Sequence, residues 1–217
     1  VVEYPRYGYR RVTEQLKREW WTVNHKRVAR IMKEDSLQCQ IRRRWVKTTD
    51  SNHPYPVYPN LLVELTVRRP NEVWVADITY IRILTGFLYL AVILDLYSRK
   101  VIGWALSRHI DTELTVAALR MALEERRPPL GCIHHSDRGV QYACHAYVDK
   151  LREAGMRISM ARKGNPYDNA VAESFMKTLK YEEVYLWDYR GVEDVKERIP
   201  HFIQQVYNQK RLHSALG

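Results

Sequence analysis

The chain of 217 residues is long enough for one large domain or for a core domain with a small appendage, and at 46% hydrophobic and 28% charged it can bury a core, which excludes wholesale disorder. No apolar run approaches the ~18 residues of a membrane span, the polar and basic opening does not read as a signal peptide, and three scattered cysteines (Cys39, Cys132, Cys144) do not make a disulfide framework; a reducing, cytoplasmic setting is expected. The net charge of +10 is uneven: residues 1–53 hold 13 Lys/Arg against 6 Asp/Glu, and residues 54–217 hold 22 against 19, so the first quarter of the chain is the part expected to face a polyanion, nucleic acid before membrane.

In chain order, the first segment reads as two short helices. Val12, Leu16 and Trp20 recur at four-residue spacing and predict one apolar stripe. Asn24 is a good N-cap for a second helix from His25 to about Asp35, with Val28, Ile31 and Met32 expected inside and Lys26, Arg30 and Lys33 on the opposite face. Two helices around a tight turn, the second basic on its outer face, suit a helix-turn-helix DNA-binding domain over residues 1–45. Arg42, Arg43 and Arg44 lead into a basic linker, residues 46–68, in which Pro54, Pro56 and Pro59 disfavour helix; the basic run before it could track phosphates.

From Glu72 the pattern changes to strands. Trp74–Ile81 is β-rich and turns at Thr85-Gly86; Phe87–Asp95 and Lys100–Ser107 follow as second and third strands. Asp111 caps a helix to Glu125 that ends before Pro128-Pro129. A short strand over Gly131–His135, a helix over Cys144–Ala154, a strand over Arg157–Met160 and a helix from Asn169 to about Glu183 complete an α/β pattern. Three adjacent strands followed by alternation predict a mixed sheet with helices packed against it.

Three acids stand out by position. Asp77 interrupts an apolar strand, where a carboxylate is costly unless a cation or donors compensate it. Asp137 lies just beyond the fourth strand. Glu173 sits one turn into a helix whose Val171, Ala172, Phe175, Met176 and Leu179 should face the core, while Glu173, Lys177 and Lys180 fall within about 60° of one another on the other arc. On helix geometry alone a solvated Glu–Lys pair explains that arc equally well. The spacings of 59 and 35 intervening residues between the three acids decide differently.

With that spacing, the runs Trp74-Val75-Ala76-Asp77-Ile78-Thr79-Tyr80, Leu94-Asp95-Leu96-Tyr97-Ser98-Arg99, His134-His135-Ser136-Asp137-Arg138-Gly139-Val140-Gln141-Tyr142, Gly164-Asn165-Pro166-Tyr167-Asp168-Asn169-Ala170 and Glu173-Ser174-Phe175 resemble the DDE transposase and retroviral-integrase superfamily. More narrowly the chain resembles the second-frame (OrfB-type) transposases of the insertion-sequence-three family, as do Lys177-Thr178-Leu179-Lys180 and the tail from Tyr207 to Gly217. The resemblance implies a ribonuclease-H-like, mixed five-stranded sheet with flanking helices over residues 69–217, truncated at its C-terminus, preceded by the helical domain. It also implies a bacterial enzyme in which Asp77, Asp137 and Glu173 bind two Mg²⁺ ions, Mn²⁺ able to substitute, for DNA strand cleavage and strand transfer. Lys180 then contacts transposon-end DNA, with Lys177 and Arg138 as further candidates. The implied partners are the DNA ends and target, further copies of the chain on DNA, and a first-frame (OrfA) segment for end recognition. Trp20 stands where relatives often carry glycine, and Leu212 where proline is usual.

Rival readings are weighed residue by residue. Asp95 is expected to be structural at its turn, and Asp168 to cap a helix; Glu182 and Glu183 are expected to be solvated. Cys132, His134, His135, Cys144 and His145 lack zinc-ligand spacing, and structural roles are expected for the two adjacent histidines. The alternatives to an active transposase are a non-catalytic DNA-binding relic and a ribonuclease H-type nuclease.

Overall fold

The computed structural model describes residues 7–37, 53–162 and 165–212. Arg42, Arg43 and Arg44 therefore lie outside the described residues, as does most of the early linker.

Helix α1 (Tyr9–Arg18) and helix α2 (His25–Glu34) form the N-terminal pair. The Asn24 side chain accepts the Lys26 N–H at 2.9 Å, so the predicted cap starts α2. Val28 and Met32 are buried, but Ile31 is 40% exposed and does not join them. The apolar stripe of α1 also ends earlier than expected. Trp20 has left the helix, in left-handed backbone at φ 67°, and is 95% exposed. The Trp20 N–H reaches the Lys17 carbonyl at 3.0 Å and the Trp21 N–H that of Leu16 at 2.9 Å, which closes the helix with paired reverse bonds.

The second half of the proline-rich run lies against the core. Leu61 donates its N–H to Ser159 Oγ at 2.8 Å, His53 Nε2 donates to the Arg138 carbonyl at 2.8 Å, and Leu61, Leu62 and Val67 pack on the main apolar cluster.

Five strands form one sheet in the order β3-β2-β1-β4-β5: β1 (Val73–Ile83), β2 (Gly86–Asp95), β3 (Val101–Ser107), β4 (Ile133–Ser136) and β5 (Arg157–Met160). The first three are antiparallel neighbours; β4 joins β1 in parallel and β5 joins β4 likewise, giving the mixed sheet expected. One face carries helices α3 (Thr112–Arg126) and α5 (His145–Glu153) over Trp74, Ala91, Ile93 and Ile102; α5 matches the expected Cys144–Ala154 helix to within a residue at each end, and the short α4 (Val140–Ala143) before it was not expected. Gly103 lets α3 approach closely, since a Cβ there would sit 2.3 Å from the Ala118 carbonyl oxygen.

The other face carries α6 (Ala170–Glu182), which buries Ala172, Phe175, Met176 and Leu179 as its periodicity predicts. Beyond it lie α7 (Val192–His201) and a π-helical continuation, Phe202–Lys210, neither anticipated as an element. Val195, Ile199, Phe202 and Ile203 are buried at helical spacing, but Pro200 in their midst reads as a stop. Asn208 ends this arm by pairing its side-chain amide with both the N–H and the carbonyl of Val101, at 2.9 and 2.8 Å, where a further strand would otherwise pair.

Candidate active site

The site begins with strand register. Val75 and His135 are the last parallel pair between β1 and β4. Asp77 lies two residues further along β1 and Asp137 two residues further along the chain, just past the end of β4, which brings the Asp137 carboxylate near enough to act on Asp77. Asp137 then turns the chain away, accepting the Gly139 N–H at 2.9 Å. Glu173 arrives from above, in the first turn of α6, where the helix dipole favours a carboxylate.

Asn169 fixes the start of that helix on the strand. It is buried, and its Nδ2 donates to the carbonyl of Ala76, the residue before Asp77, at 3.1 Å. The bond therefore ties the turn that carries Glu173 to the backbone that carries Asp77. Sequence reading placed Asn169 only as the neighbour of a cap; its partner is 93 positions away.

The electrostatics follow from this convergence. Burial pushes the Asp77 carboxyl up to about 7, the Asp137 carboxylate adds to the push, and Glu173 adds a smaller one. The Ile78 N–H, which donates to Asp77 Oδ1 at 2.8 Å, and the Lys180 ammonium pull the other way. Glu173 is exposed, yet partial desolvation raises its carboxyl too. Excess negative charge of this kind is relieved by a proton or a cation. Among the described residues no three His, Cys, Asp or Glu side chains are already drawn in around a metal position, so the acids share a region without closing on a centre.

Lys180 is half-buried, its ammonium 4.4 Å from the centroid of the Tyr80 ring; burial lowers its pKa while Asp77 opposes that. Lys177 is exposed on the same helix. Arg138 is half-buried, and its Nε donates to the Ala161 carbonyl at 2.8 Å, so this side chain is anchored at the end of β5 beside Asp137. Lys26, Arg30 and Lys33 are all exposed on α2, and Arg30 lies 3.7 Å from Glu34.

The rival acids take structural work. Asp95 is 1% exposed and accepts N–H bonds from Asn71 and Ser98 at 2.6 and 2.7 Å, with the Ser98 hydroxyl at 2.8 Å. Asp168 caps no α-helix. It clasps Arg162, accepting from its backbone N–H at 2.8 Å and from its guanidinium at 3.0 Å, and these bonds hold its carboxyl well below the usual range. Glu182 and Glu183 are not solvated as expected. Glu183 is 7% exposed and accepts from Arg198 Nε at 2.7 Å and from the Tyr189 hydroxyl at 3.0 Å. Glu182 accepts two bonds from Arg211, at 2.8 and 2.9 Å, and another from Arg11 of α1.

His134 and His135 are structural. His134 Nε2 meets the Tyr147 hydroxyl at 2.9 Å, His135 Nδ1 meets Ser159 Oγ at 2.8 Å, and burial pushes the two imidazoles down, to about 3 and about 4.

Comparison with known proteins places this geometry. Residues 2–45 match the HTH-like domain family, and residues 67–166 and 154–217 match two families each described as the integrase core domain. The chain is 43% identical over 97% of its length to an insertion element IS600 uncharacterized 31 kDa protein of Shigella sonnei, covering 78% of that protein. It is 38% identical over 98% of its length to transposase InsF for insertion sequence IS3A of Escherichia coli, covering 74% of it, and 38% identical over 97% of its length to the transposase for insertion sequence element IS904 of Lactococcus lactis, covering 84%. Among solved structures, the fold is shared with the catalytic core domain of BIV integrase (TM-score 0.50, 19% identity, 67% of this chain and 88% of that one). The catalytic domain of Mos1 mariner transposase shares it as well (TM-score 0.50, 13% identity, 62% of this chain and 71% of that one). A ribonuclease-H-like integrase core behind a helix-turn-helix-like domain, matched almost end to end by insertion-sequence transposases, places the chain in the IS3 transposase family.

Proposed function

We propose that this transposase cuts and joins DNA strands with Asp77, Asp137 and Glu173 as the catalytic acids, holding two Mg²⁺ ions for which Mn²⁺ can substitute. The observation that carries the reading is the placement of the three acids: Asp77 on β1, Asp137 at the end of the neighbouring β4, and Glu173 on the helix that Asn169 ties to the Ala76 carbonyl, with the second and third carboxylates both raising the half-buried Asp77 carboxyl. An all-carboxylate, oxygen-only donor set with spare negative charge fits a hard divalent cation. When bound, paired ions activate the attacking oxygen and stabilise the leaving one during in-line displacement.

The chain's own residues supply position. Asp77 comes from β1 and Asp137 from the residue that follows β4, the strand paired with β1, while Glu173 comes from a helix held to β1 by Asn169. Water first attacks a phosphodiester, its oxygen forming a P–O bond and losing a proton as the bond to the 3′-oxygen breaks and that oxygen leaves as a 3′-hydroxyl. The hydroxyl then attacks a second phosphodiester, making one P–O bond as another breaks. Lys180 sits on the Glu173 helix where a DNA backbone phosphate would approach, with Lys177 and Arg138 flanking. Lys26, Arg30 and Lys33 of α2 contact DNA from the domain at residues 1–45, with Arg42, Arg43 and Arg44 near its end; residues 46–68 link it to the catalytic core at 69–217. The working form is a multimer on bacterial DNA in the cytoplasm, assisted by a first-frame partner.

Calorimetric titration with Mn²⁺ tests the ligand assignment. The parent chain should take up the ion, and Asp77→Asn should lower the affinity at least tenfold without changing the circular dichroism spectrum. Equal uptake by parent and variant would remove Asp77 from the ligand set, and no uptake by the parent would favour a DNA-binding relic.

A further inference from the structure

Lys180 rests on an aromatic support that the catalytic acids do not explain. Its ammonium stands 4.4 Å from the centroid of the Tyr80 ring, within the range of a cation–π contact. Phe87 abuts Tyr80 edge-to-face, with centroids 5.5 Å apart and planes at 89°, which holds the ring in place. Tyr80 lies three residues beyond Asp77 on β1, and Lys180 lies seven beyond Glu173 on α6, so the contact joins the two elements that bring the acids together. The last β1–β4 pair is Val75 with His135, so this part of β1 lies beyond the reach of β4.

A lysine ammonium on four rotatable bonds loses considerable rotamer freedom when it must meet a phosphate in one place. A ring face that already holds the ammonium removes part of that cost before DNA arrives. We propose that Tyr80 is a positioning residue: its π face sets the Lys180 ammonium beside the catalytic acids, ready for a backbone phosphate of the DNA end. The proposal rests on the reading of Lys180 as a phosphate contact, and the test separates the two.

Strand joining on a pre-nicked duplex end is measured as kcat and KM at several salt concentrations for the parent, Tyr80→Leu, Tyr80→Phe, Lys180→Met and the Tyr80→Leu/Lys180→Met double variant. Tyr80→Leu should raise KM about three- to tenfold, as loss of a cation–π contact predicts, with kcat within twofold of the parent. Tyr80→Phe keeps the ring face and should match the parent. In the Lys180→Met background, Tyr80→Leu should add nothing. Pentafluorophenylalanine at position 80, with the shape of a phenyl ring and a reversed quadrupole, should raise KM as leucine does, and it covers the case in which Tyr80→Leu does not fold.

Independent, multiplying effects of Tyr80→Leu and Lys180→Met would overturn the proposal, as would a Tyr80→Phe as impaired as Tyr80→Leu. A Lys180→Met with unchanged KM and unchanged salt slope would instead overturn the phosphate reading of Lys180.

Discussion

Trp20 holds a place in the chain that its side chain does not suit. It follows the last turn of α1 in left-handed backbone, the position where glycine ends many helices, and its indole is 95% exposed. Trp20→Gly should raise stability by about 0.5–1 kcal/mol, the relief of left-handed strain outweighing the added freedom of the unfolded chain. Urea denaturation checks this, and a loss of stability would mean that the indole has a partner elsewhere. The departure at Trp20 was legible as a missing glycine, but its exposure was not, because four-residue spacing carried it onto the helical stripe. The same divide runs through the acids. Asp77, Asp137 and Glu173 could be singled out as candidates from spacing and motif, and in the structure Asp137 and Glu173 both act on the Asp77 carboxyl without the three closing on one centre. Glu182 and Glu183 read as solvated because their partners Arg11, Arg211 and Arg198 are 15 to 171 positions away.

At the scale of elements, β4 is the strand on which the site turns, and it is short, polar and wholly buried. Its His134 and His135 stay neutral in the folded protein because burial pushes their pKa values to about 3 and about 4, whereas in the unfolded chain imidazole titrates near 6.5. Below pH 6.5 the unfolded state therefore binds more protons than the folded one, so stability falls as pH falls, until the folded-state values are reached. At pH 5 each histidine should cost about 2 kcal/mol of the stability present at pH 7.5. Replacing His134 by Gln should remove its share of that pH dependence in paired denaturation curves; an unaltered slope between pH 5 and 7 would show that its imidazole is protonated in the fold. The strands themselves were largely readable. Arg157–Met160 matches its expected bounds, and the other four strands begin or end within about two residues of theirs. The arm after α6 was not, since Pro200 masks a helix whose apolar spacing is otherwise regular.

For the whole molecule, Glu182 is the junction between the helical pair and the core. Its carboxylate, on α6, binds Arg211 from the C-terminal arm and Arg11 from α1, while the Tyr7 hydroxyl accepts the Leu212 N–H at 3.4 Å. The Arg211 and Glu182 side chains are 6% and 10% exposed, so removing the carboxylate strands a buried guanidinium. Glu182→Ala should cost about 3–5 kcal/mol, the usual penalty for breaking a buried pair from one side. Hydrogen exchange should show amides of α1 exchanging faster while those of β1 and β2 keep their protection; unchanged α1 exchange with less than about 1 kcal/mol lost would show that the junction does not hold the two parts together. Because α6 also carries Glu173 and Lys180, this one helix links the helical pair to the proposed site.

The most direct test of the central claim is strand transfer by this chain on a pre-nicked duplex end of its own element, with Mg²⁺ or Mn²⁺, beside Glu173→Gln. The parent should join the 3′-hydroxyl end to target DNA, and Glu173→Gln should form at least a hundredfold less product while binding the duplex with similar affinity. Joining by Glu173→Gln at the parent's rate would contradict the assignment of the three acids as the catalytic centre.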